Sequence, residues 1–515
     1  MIAVIDLFAG AGGLGEGFSS LRDSSGEPVF ETIMSIERDQ QIHETLRLRA
    51  YVRRILNPDG SVPEIYLDYM RNRNNDSLEK LKAYAPDEWE AACEEALCAE
   101  LHDGDNTLVE LGAERLRKWR ASHPNSPFVL IGGPPCQAYS LVGRSRRAHD
   151  EDFDKDVKHT LYKCYLAFIQ SLQPDIFVME NVKGLLSATH QGHGVFKRII
   201  HDMEEAGYEV RSLVTEHPEA PRDYIVKAEK YGVPQMRHRV ILLGVKQGSG
   251  IETGTLEASK TATLRDALTG IPRLRSSFSR RTRELGDSDW EKYVDCAATQ
   301  ILETDEGTCL ASVFEKASEC GHPMTSSSEH ITAVSGKYNS WYRRRFGKSA
   351  LLTDHDARSH QASDLDRYLF CAAYAEKYGH PAHLEDFPSR LLPNHKNVRE
   401  NNNSEYKFSD RFRVQMWDRP STTITSHIAK DGHYYIHPDP AQCRSLTVRE
   451  AARLQTFPDD YLFEGNRTAQ YTQVGNAVPP MLSQQIAAVV ADALEVEAKP
   501  FVGGVVRHDE PPASN

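Results

Sequence analysis

The chain opens on a short apolar run, Ile2 to Ile5, and comparable runs recur in ETIMSIE, PFVLIGG, DIFVMEN and RVILLGV. Each is long enough for a strand, short for a helix, and apolar without strict alternation, as strands of a parallel sheet covered on both faces must be. Helical periodicity fills the intervals near residues 39 to 56, 107 to 119, 157 to 172 and 194 to 206. The alternation predicts an α/β, doubly wound, mainly parallel sheet.

Two stretches break the rhythm. Residues 57 to 100 are polar, and acidic around DEWEAACEEALCAE, where such a fold needs only a short connection, which predicts a helical insertion. From about Gly248 the composition turns to Ser, Thr, Arg and His with scattered aromatics, as far as Trp417. Apolar patterning then returns with SLTVREAARLQTF and closes in PMLSQQIAAVVADALEVEA. The expected organisation is a first domain over 1–247, a smaller second domain over 248–417 set into it, a return to the first over 418–498, and a flexible tail over 499–515.

Composition narrows the classes. The 61 basic and 74 acidic residues leave a net charge of -13, which argues against a chain that coats nucleic acid but leaves room for a local basic groove. Nine cysteines with no C-x-x-C pair, and a first segment unlike a secretory signal, lead us to expect reduced thiols and a cytoplasmic protein. No apolar run reaches the roughly 18 residues of a membrane span. The histidines show no metal-ligand spacing, so no metal is expected.

Candidate chemistry begins at DLFAGAGGLGEGF, where Gly10, Gly12 and Gly15 spell G-x-G-x-x-G directly after the first strand. Backbone N–H groups and the positive end of a helix suit a pyrophosphate and equally an amino-acid carboxylate. Glu37, closing the second strand, can accept from two ribose hydroxyls of either cofactor class, so these residues alone leave the cofactor open. In IGGPPCQAYS, Cys136 follows two prolines at the carboxyl end of a strand, where ligands of open α/β sheets gather. The prolines hold the segment extended and project that thiol into the cleft. Glu180 ends a fourth strand, and Arg237 and Arg239 enter a fifth in QMRHRVILLG.

The blocks DLFAGAGG, IERD, GDNT, GGPPCQAYS, ENV, QMRHR, RSLTVREAARLQTFPDDY and QVGNAVPP, in that order, resemble those of DNA cytosine-5 methyltransferases that use S-adenosylmethionine. The resemblance implies S-adenosyl-L-methionine in place of a dinucleotide. It puts Phe8 against the adenine, Ala9, Gly10, Gly12, Gly13 and Leu14 around the methionine moiety, Glu37 on the ribose, and Asp105 on the adenine amino group. Asn106, Pro134, Leu161, Asn476, Ala477 and Val478 complete that pocket. Two positions depart from the family's usual choices: Arg38, where an aromatic or apolar residue often covers the adenine, and Asn106, where an aliphatic one is common.

The same resemblance implies methyl transfer to C5 of a flipped-out cytosine within a short site in double-stranded DNA, through a covalent adduct of Cys136 with C6. Glu180 would donate toward N3, Arg239 would face O2, and Arg237 would support the pocket. The second domain would read the target. Expected DNA contacts are Gln137, Ser140, Arg144, Arg146 and Arg147 after the cysteine, and Arg280, Arg281, Arg343 and Arg344 in the second domain. A monomer serving restriction-modification or phage defence is expected, with a cognate restriction nuclease or other defence proteins as candidate partners. Two alternatives stand beside it. A tRNA cytosine-5 methyltransferase is disfavoured by the long stretch between Arg239 and Trp417, and a catalytically inactive DNA-binding relative by the intact Cys136, Glu180 and Arg239.

Overall fold

The computed structural model describes residues 1–135, 161–190, 193–279, 287–304, 306–319, 337–346, 351–393, 409–500 and 505–506. Its first half builds the expected sheet. In chain order the elements are β1 (Ile2–Leu7), α1 (Gly13–Ser20), β2 (Phe30–Glu37), α2 (Gln40–Arg54), α3 (Glu64–Asn72), α4 (Asn75–Tyr84), α5 (Pro86–Glu95) and β3 (Ala96–Cys98). They continue with α6 (Thr107–Ser122), β4 (Phe128–Gly132), α7 (Leu161–Leu172), β5 (Ile176–Val182), α8 (Val195–Glu205), β6 (Tyr208–Arg211), β7 (Ile225–Lys227) and β8 (His238–Lys246). The strands lie in the order β3-β2-β1-β4-β5-β8-β6, with β7 alongside β8.

Two features of this order position the site. β1 pairs in parallel with both β2 and β4, so the chain winds outward in opposite directions from β1, and a crevice opens at the carboxyl ends there. β8 instead runs antiparallel to β5, with Arg239 opposite Val182 and Ile241 opposite Glu180. The start of β8 is thereby delivered to the edge where the parallel strands end.

Side-chain alternation divides the core into two layers. Ala3, Ile5 and Leu7 of β1 join α6, α7 and α8 on one face, through Leu116, Phe168 and Ile199 among others. Ile2 and Val4 join α1 and the closing helix on the other, through Phe18, Leu482 and Ile486.

Three helices, α3 to α5, lie between α2 and β3. α3 and α4 pack Tyr66, Tyr69, Met70 and Leu81 against Leu48, Tyr51 and Val52 of α2, and α4 is started by a capping box between Asn74 and Ser77. β3, which the sequence pattern does not announce, leaves the insertion as an edge strand on β2.

The second region is mainly helical where it is described: α9 (Leu264–Leu268), α10 (Asp287–Leu302), α11 (Ala311–Glu319), α12 (Lys337–Tyr342) and α13 (Ala362–Tyr378). Trp290, Ile301, Leu310, Leu365 and Phe370 form its core together with Phe412, Ile436 and Cys443, so the packing continues past Trp417. Leu264, Trp341 and Tyr342 belong to another cluster, with α14 (Val448–Leu454) and α15 (Arg467–Asn476). The closing helix is α16 (Pro480–Ala493). Within the expected tail, Val505–Val506 pairs antiparallel with Thr255–Leu256. No helix among the described residues is long and apolar enough to cross a membrane.

Candidate active site

The turn after β1 shows why the glycines stand where they do. Phe8, Gly10 and Gly12 all have positive φ, at 57°, 57° and 80°. A side chain on Gly10 would meet nothing within 4 Å, so that glycine faces open space, whereas a Cβ on Gly13 would lie 2.3 Å from the carbonyl oxygen of Val478. The Gly10 N–H donates to Glu37 Oε2 at 3.0 Å, and the Asp39 N–H donates to Oε1 at 2.8 Å. Burial pushes the Glu37 carboxyl up and these two N–H groups pull it back. Glu37 thus fixes the loop while each oxygen keeps a second lone pair for a ligand. Gln455 donates to the carbonyls of Val474 and Ala477, which holds Ala477 and Val478 against the loop, while Asn476 stays exposed. Ala9 and Leu14 are buried behind it.

The other expected pocket residues divide. Asp105 is exposed and accepts from the backbone and hydroxyl of Thr107, the hydroxyl above all holding it below the usual carboxylate range. Asn106 caps α6 with no side-chain hydrogen bond. Arg38 is exposed and paired with Glu100 at 2.8 Å. Pro134 is buried, its carbonyl accepting from Asn181 Nδ2 at 3.2 Å. Leu161 is buried in the core beside Tyr165.

At the opposite lip, Glu180 and Arg239 form an ion pair, Nε to Oε1 at 2.9 Å, with 13 % and 16 % of their side chains exposed. Burial holds the Arg239 guanidinium below its ordinary range, opposed by the Glu180 charge. A Cβ on Gly133 would lie 3.2 Å from Glu180 Oε2, so the turn leading to Cys136 runs directly past this carboxylate. Arg237, expected to support the pocket, is buried within electrostatic reach of both Glu180 and Arg239. It is 2 % exposed and donates to the carbonyls of Ile424 and Gly475, a positioning contact between β8 and the chain's return.

Cys136, Gln137, Ser140, Arg144, Arg146, Arg147, Arg280 and Arg281 lie outside the described residues. Of the two remaining expected DNA contacts, Arg343 lies half-buried over the ring of Phe346. Arg344 is turned inward, pairing with the buried Glu16 at 2.9 Å and stacking on Trp341. An inward guanidinium with a carboxylate partner is a packing element, and the reading of Arg344 as a DNA contact is corrected accordingly.

Residues 109–491 match the family model of the C-5 cytosine-specific DNA methylases. Type II methyltransferase M.Bpa9945I of Bacillus paralicheniformis is 34% identical, over 95% of this chain and 99% of that protein. The chain belongs to the C-5 cytosine-specific DNA methylase family. The methylase is also 28% identical to DNA (cytosine-5-)-methyltransferase M.ApeKI of Aeropyrum pernix, over 71% of this chain and 81% of the other. A solved Escherichia coli prophage protein, titled as a candidate DNA modification methyltransferase, shares the fold with a TM-score of 0.53 at 18% identity, covering 96% of this chain and 100% of its own.

Two contributors to the site escaped the sequence reading. Tyr461 donates its hydroxyl to the Ala11 carbonyl inside the glycine turn, and Asn181 secures Pro134, two residues before Cys136 in sequence. Asn181 was legible in the block ENV next to Glu180. Tyr461 had no signal beyond closing the block before the second glycine motif.

Proposed function

We propose that the methylase transfers the methyl group of S-adenosylmethionine to C5 of cytosine within a specific short sequence of double-stranded DNA, in a restriction-modification or phage-defence setting. One observation carries the reading: the Glu180–Arg239 pair on adjoining strands, beside the turn that leads in sequence to Cys136. The open cradle at Gly10 and the partly engaged Glu37 fit an adenosine and amino-acid cofactor bound through Phe8, the glycine turn, Glu37, Asp105 and Val478.

Cytosine C5 is a weak nucleophile while its ring is aromatic, and covalent catalysis divides that barrier. The Cys136 thiolate forms a bond to C6, and the C5–C6 π pair becomes available at C5 as a proton that Glu180 has taken up from solvent is passed to N3. A thiol of ordinary pKa near 8.5 needs only modest lowering to serve. Arg239, already held by Glu180, is poised to stabilise charge at O2, as fixed dipoles and cations do most effectively in poorly solvated sites. When bound, S-adenosylmethionine supplies the electrophilic methyl that C5 takes. A base then removes the C5 proton, its electron pair restores the C5–C6 double bond, the sulfur–C6 bond breaks, and Glu180 recovers the proton from N3. None of these atoms is reachable in stacked DNA, so the base is flipped out at a cost of about a few kcal/mol.

Bisulfite sequencing of DNA from cells expressing the chain is expected to show protected cytosines in one short sequence context, and none with Cys136→Ser. Protection in no context, with the protein present and folded, would refute the proposal.

A further inference from the structure

We infer that Gln235 and Gln455 are positioning residues: their side-chain amides tie the strand that carries Arg239 to the wall of the cofactor cradle, and so set where the methyl donor stands relative to the flipped base. The inference rests on the proposed reading of that cradle and that base.

Gln235 and Gln455 are fully buried, where an amide is costly unless its polar atoms are partnered. Here they are. Gln235 Oε1 accepts from the Ile424 N–H at 2.7 Å, and its Nε2 donates to Gln455 Oε1 at 2.7 Å and to the Leu454 carbonyl at 3.1 Å. Gln455 Nε2 in turn donates to the carbonyls of Val474 at 2.7 Å and Ala477 at 3.0 Å. From amide to amide, the bonds run from the lead-in to β8, past the end of α14, to the end of α15. Apolar side chains would fill the same space without needing partners. What a fully satisfied polar network adds is a fixed arrangement of backbone segments that are far apart in sequence.

Both ends of this relay reach the proposed chemistry. Gln235–Met236 pairs in parallel with Ser421–Thr422 and leads into β8, where Arg239 holds Glu180. At the other end Ala477 and Val478 press on the glycine turn: a Cβ on Gly13 would lie 3.1 Å from the Ala477 Cβ and 2.3 Å from the Val478 carbonyl oxygen. Arg237 forms a parallel strut to the Gly475 carbonyl at 3.3 Å, so the residues on either side of the exposed Asn476 are both anchored to the strand of Arg239. In the sheet itself β4 and β5 stand between β1 and β8, which leaves these side chains as the shorter connection. Methyl transfer is sensitive to that spacing, since sulfur, methyl and C5 must come into line, and a misplacement of about 1 Å can cost about 10²-fold. Addition of Cys136 to C6 and protonation at N3 belong to the Glu180–Arg239 side alone.

A misplaced donor leaves the adduct another outlet. C5 takes a proton from water in place of the methyl, the base removes the original C5 hydrogen, its electron pair restores the C5–C6 double bond, and the sulfur–C6 bond breaks. Cytosine returns with its C5 hydrogen exchanged. The test therefore supplies duplex DNA carrying tritium at cytosine C5, prepared from cells lacking the methylase, with saturating S-adenosylmethionine labelled in its methyl group, and counts tritium released to water per methyl incorporated. The wild type should release roughly one tritium per methyl, as the balanced cycle requires. Gln455→Met should lower methyl incorporation by about 10- to 100-fold and raise that ratio at least about fivefold. A loss of stability alone lowers both counts and leaves their ratio where it was. Gln235→Met, which leaves Gln455 its own two bonds to the wall, should raise the ratio by a smaller factor and decides the matter where Gln455→Met does not fold. An unchanged ratio in the folded variant, whether both counts fall together or neither falls, would overturn the inference. A wild type that incorporates no methyl would overturn the proposed function, and this inference with it.

Discussion

Arg237 and Arg239 stand two residues apart in one motif and meet different fates. Arg239 reaches Glu180 in the crevice, while Arg237 is committed to two backbone carbonyls. Glu180→Gln should therefore lower kcat by about 10²- to 10³-fold with cofactor affinity unchanged, as loss of one charge-stabilising group does elsewhere. Arg237→Met should lower stability by about 1–3 kcal/mol, because two buried acceptors lose their donor, with a smaller effect on kcat. Denaturation midpoints and single-turnover rates measured together separate the two; equal rate losses without any shift in midpoint would show Arg237 at the chemistry. Asp6 makes a pH prediction. Burial, with Glu37 and Glu95 adding to it and Arg53 opposing, raises its carboxyl to about 8. The folded state then holds a proton that the unfolded chain, with a carboxyl near 3.9, has released. This contribution is complete below about pH 4 and drains as pH rises toward about 8, by up to about 1.4 kcal/mol per pH unit. The stability of wild type relative to Asp6→Asn should fall across that window and level off above it, as read by urea unfolding at a series of pH values. A pH-independent difference would mean that Asp6 is ionised in the fold.

At the scale of elements, the glycine turn separates two functions within a few residues. Gly13→Ala would drive a methyl group to 2.3 Å from the Val478 carbonyl, so it should destabilise the protein by about 1–3 kcal/mol through forced backbone movement. Gly10→Ala meets no atom and pays only for its positive φ, about 1–2 kcal/mol, but fills the cradle. Its expected mark is at least a tenfold weaker S-adenosylmethionine affinity in calorimetry with only a modest loss of thermal stability. Weakened affinity in neither variant would place the cofactor elsewhere. What the sequence made legible follows the same scale. The five strand runs could be read because strands covered on both faces carry mainly apolar residues. β3 and β6 could not, since three or four residues with a polar neighbour carry no periodicity. Glu180 and Arg239 could be named from their motifs, but their pairing depends on β8 running antiparallel, a fact of topology. Arg344 was misread because a run of three arginines ordinarily marks solvated surface, and its carboxylate partner stands 328 residues away in sequence.

The whole molecule is joined more tightly than its sequence boundaries suggest. Trp341 and Tyr342, both fully buried, leave the second region to pack against α14 and α15, and each donates to a backbone carbonyl there, Thr456 and Arg453. Thr456 itself is held at a φ of 61°, strained for a β-branched residue, with its hydroxyl accepting from the Met481 N–H that begins α16. Interfaces between loosely docked domains are polar and exposed, and permit separate unfolding. Here aromatic burial and paired charges span the junction, so the second region cannot melt without stripping α14 and the glycine turn of their partners. Thermal unfolding followed by near-ultraviolet and far-ultraviolet circular dichroism should give one coincident transition. Trp341→Ala should lower that shared midpoint by the stability lost with a large buried aromatic, about 3–5 kcal/mol, without dividing the curve. Two transitions in the wild type, with Trp341→Ala moving only the lower one, would mean that the regions are independent bodies.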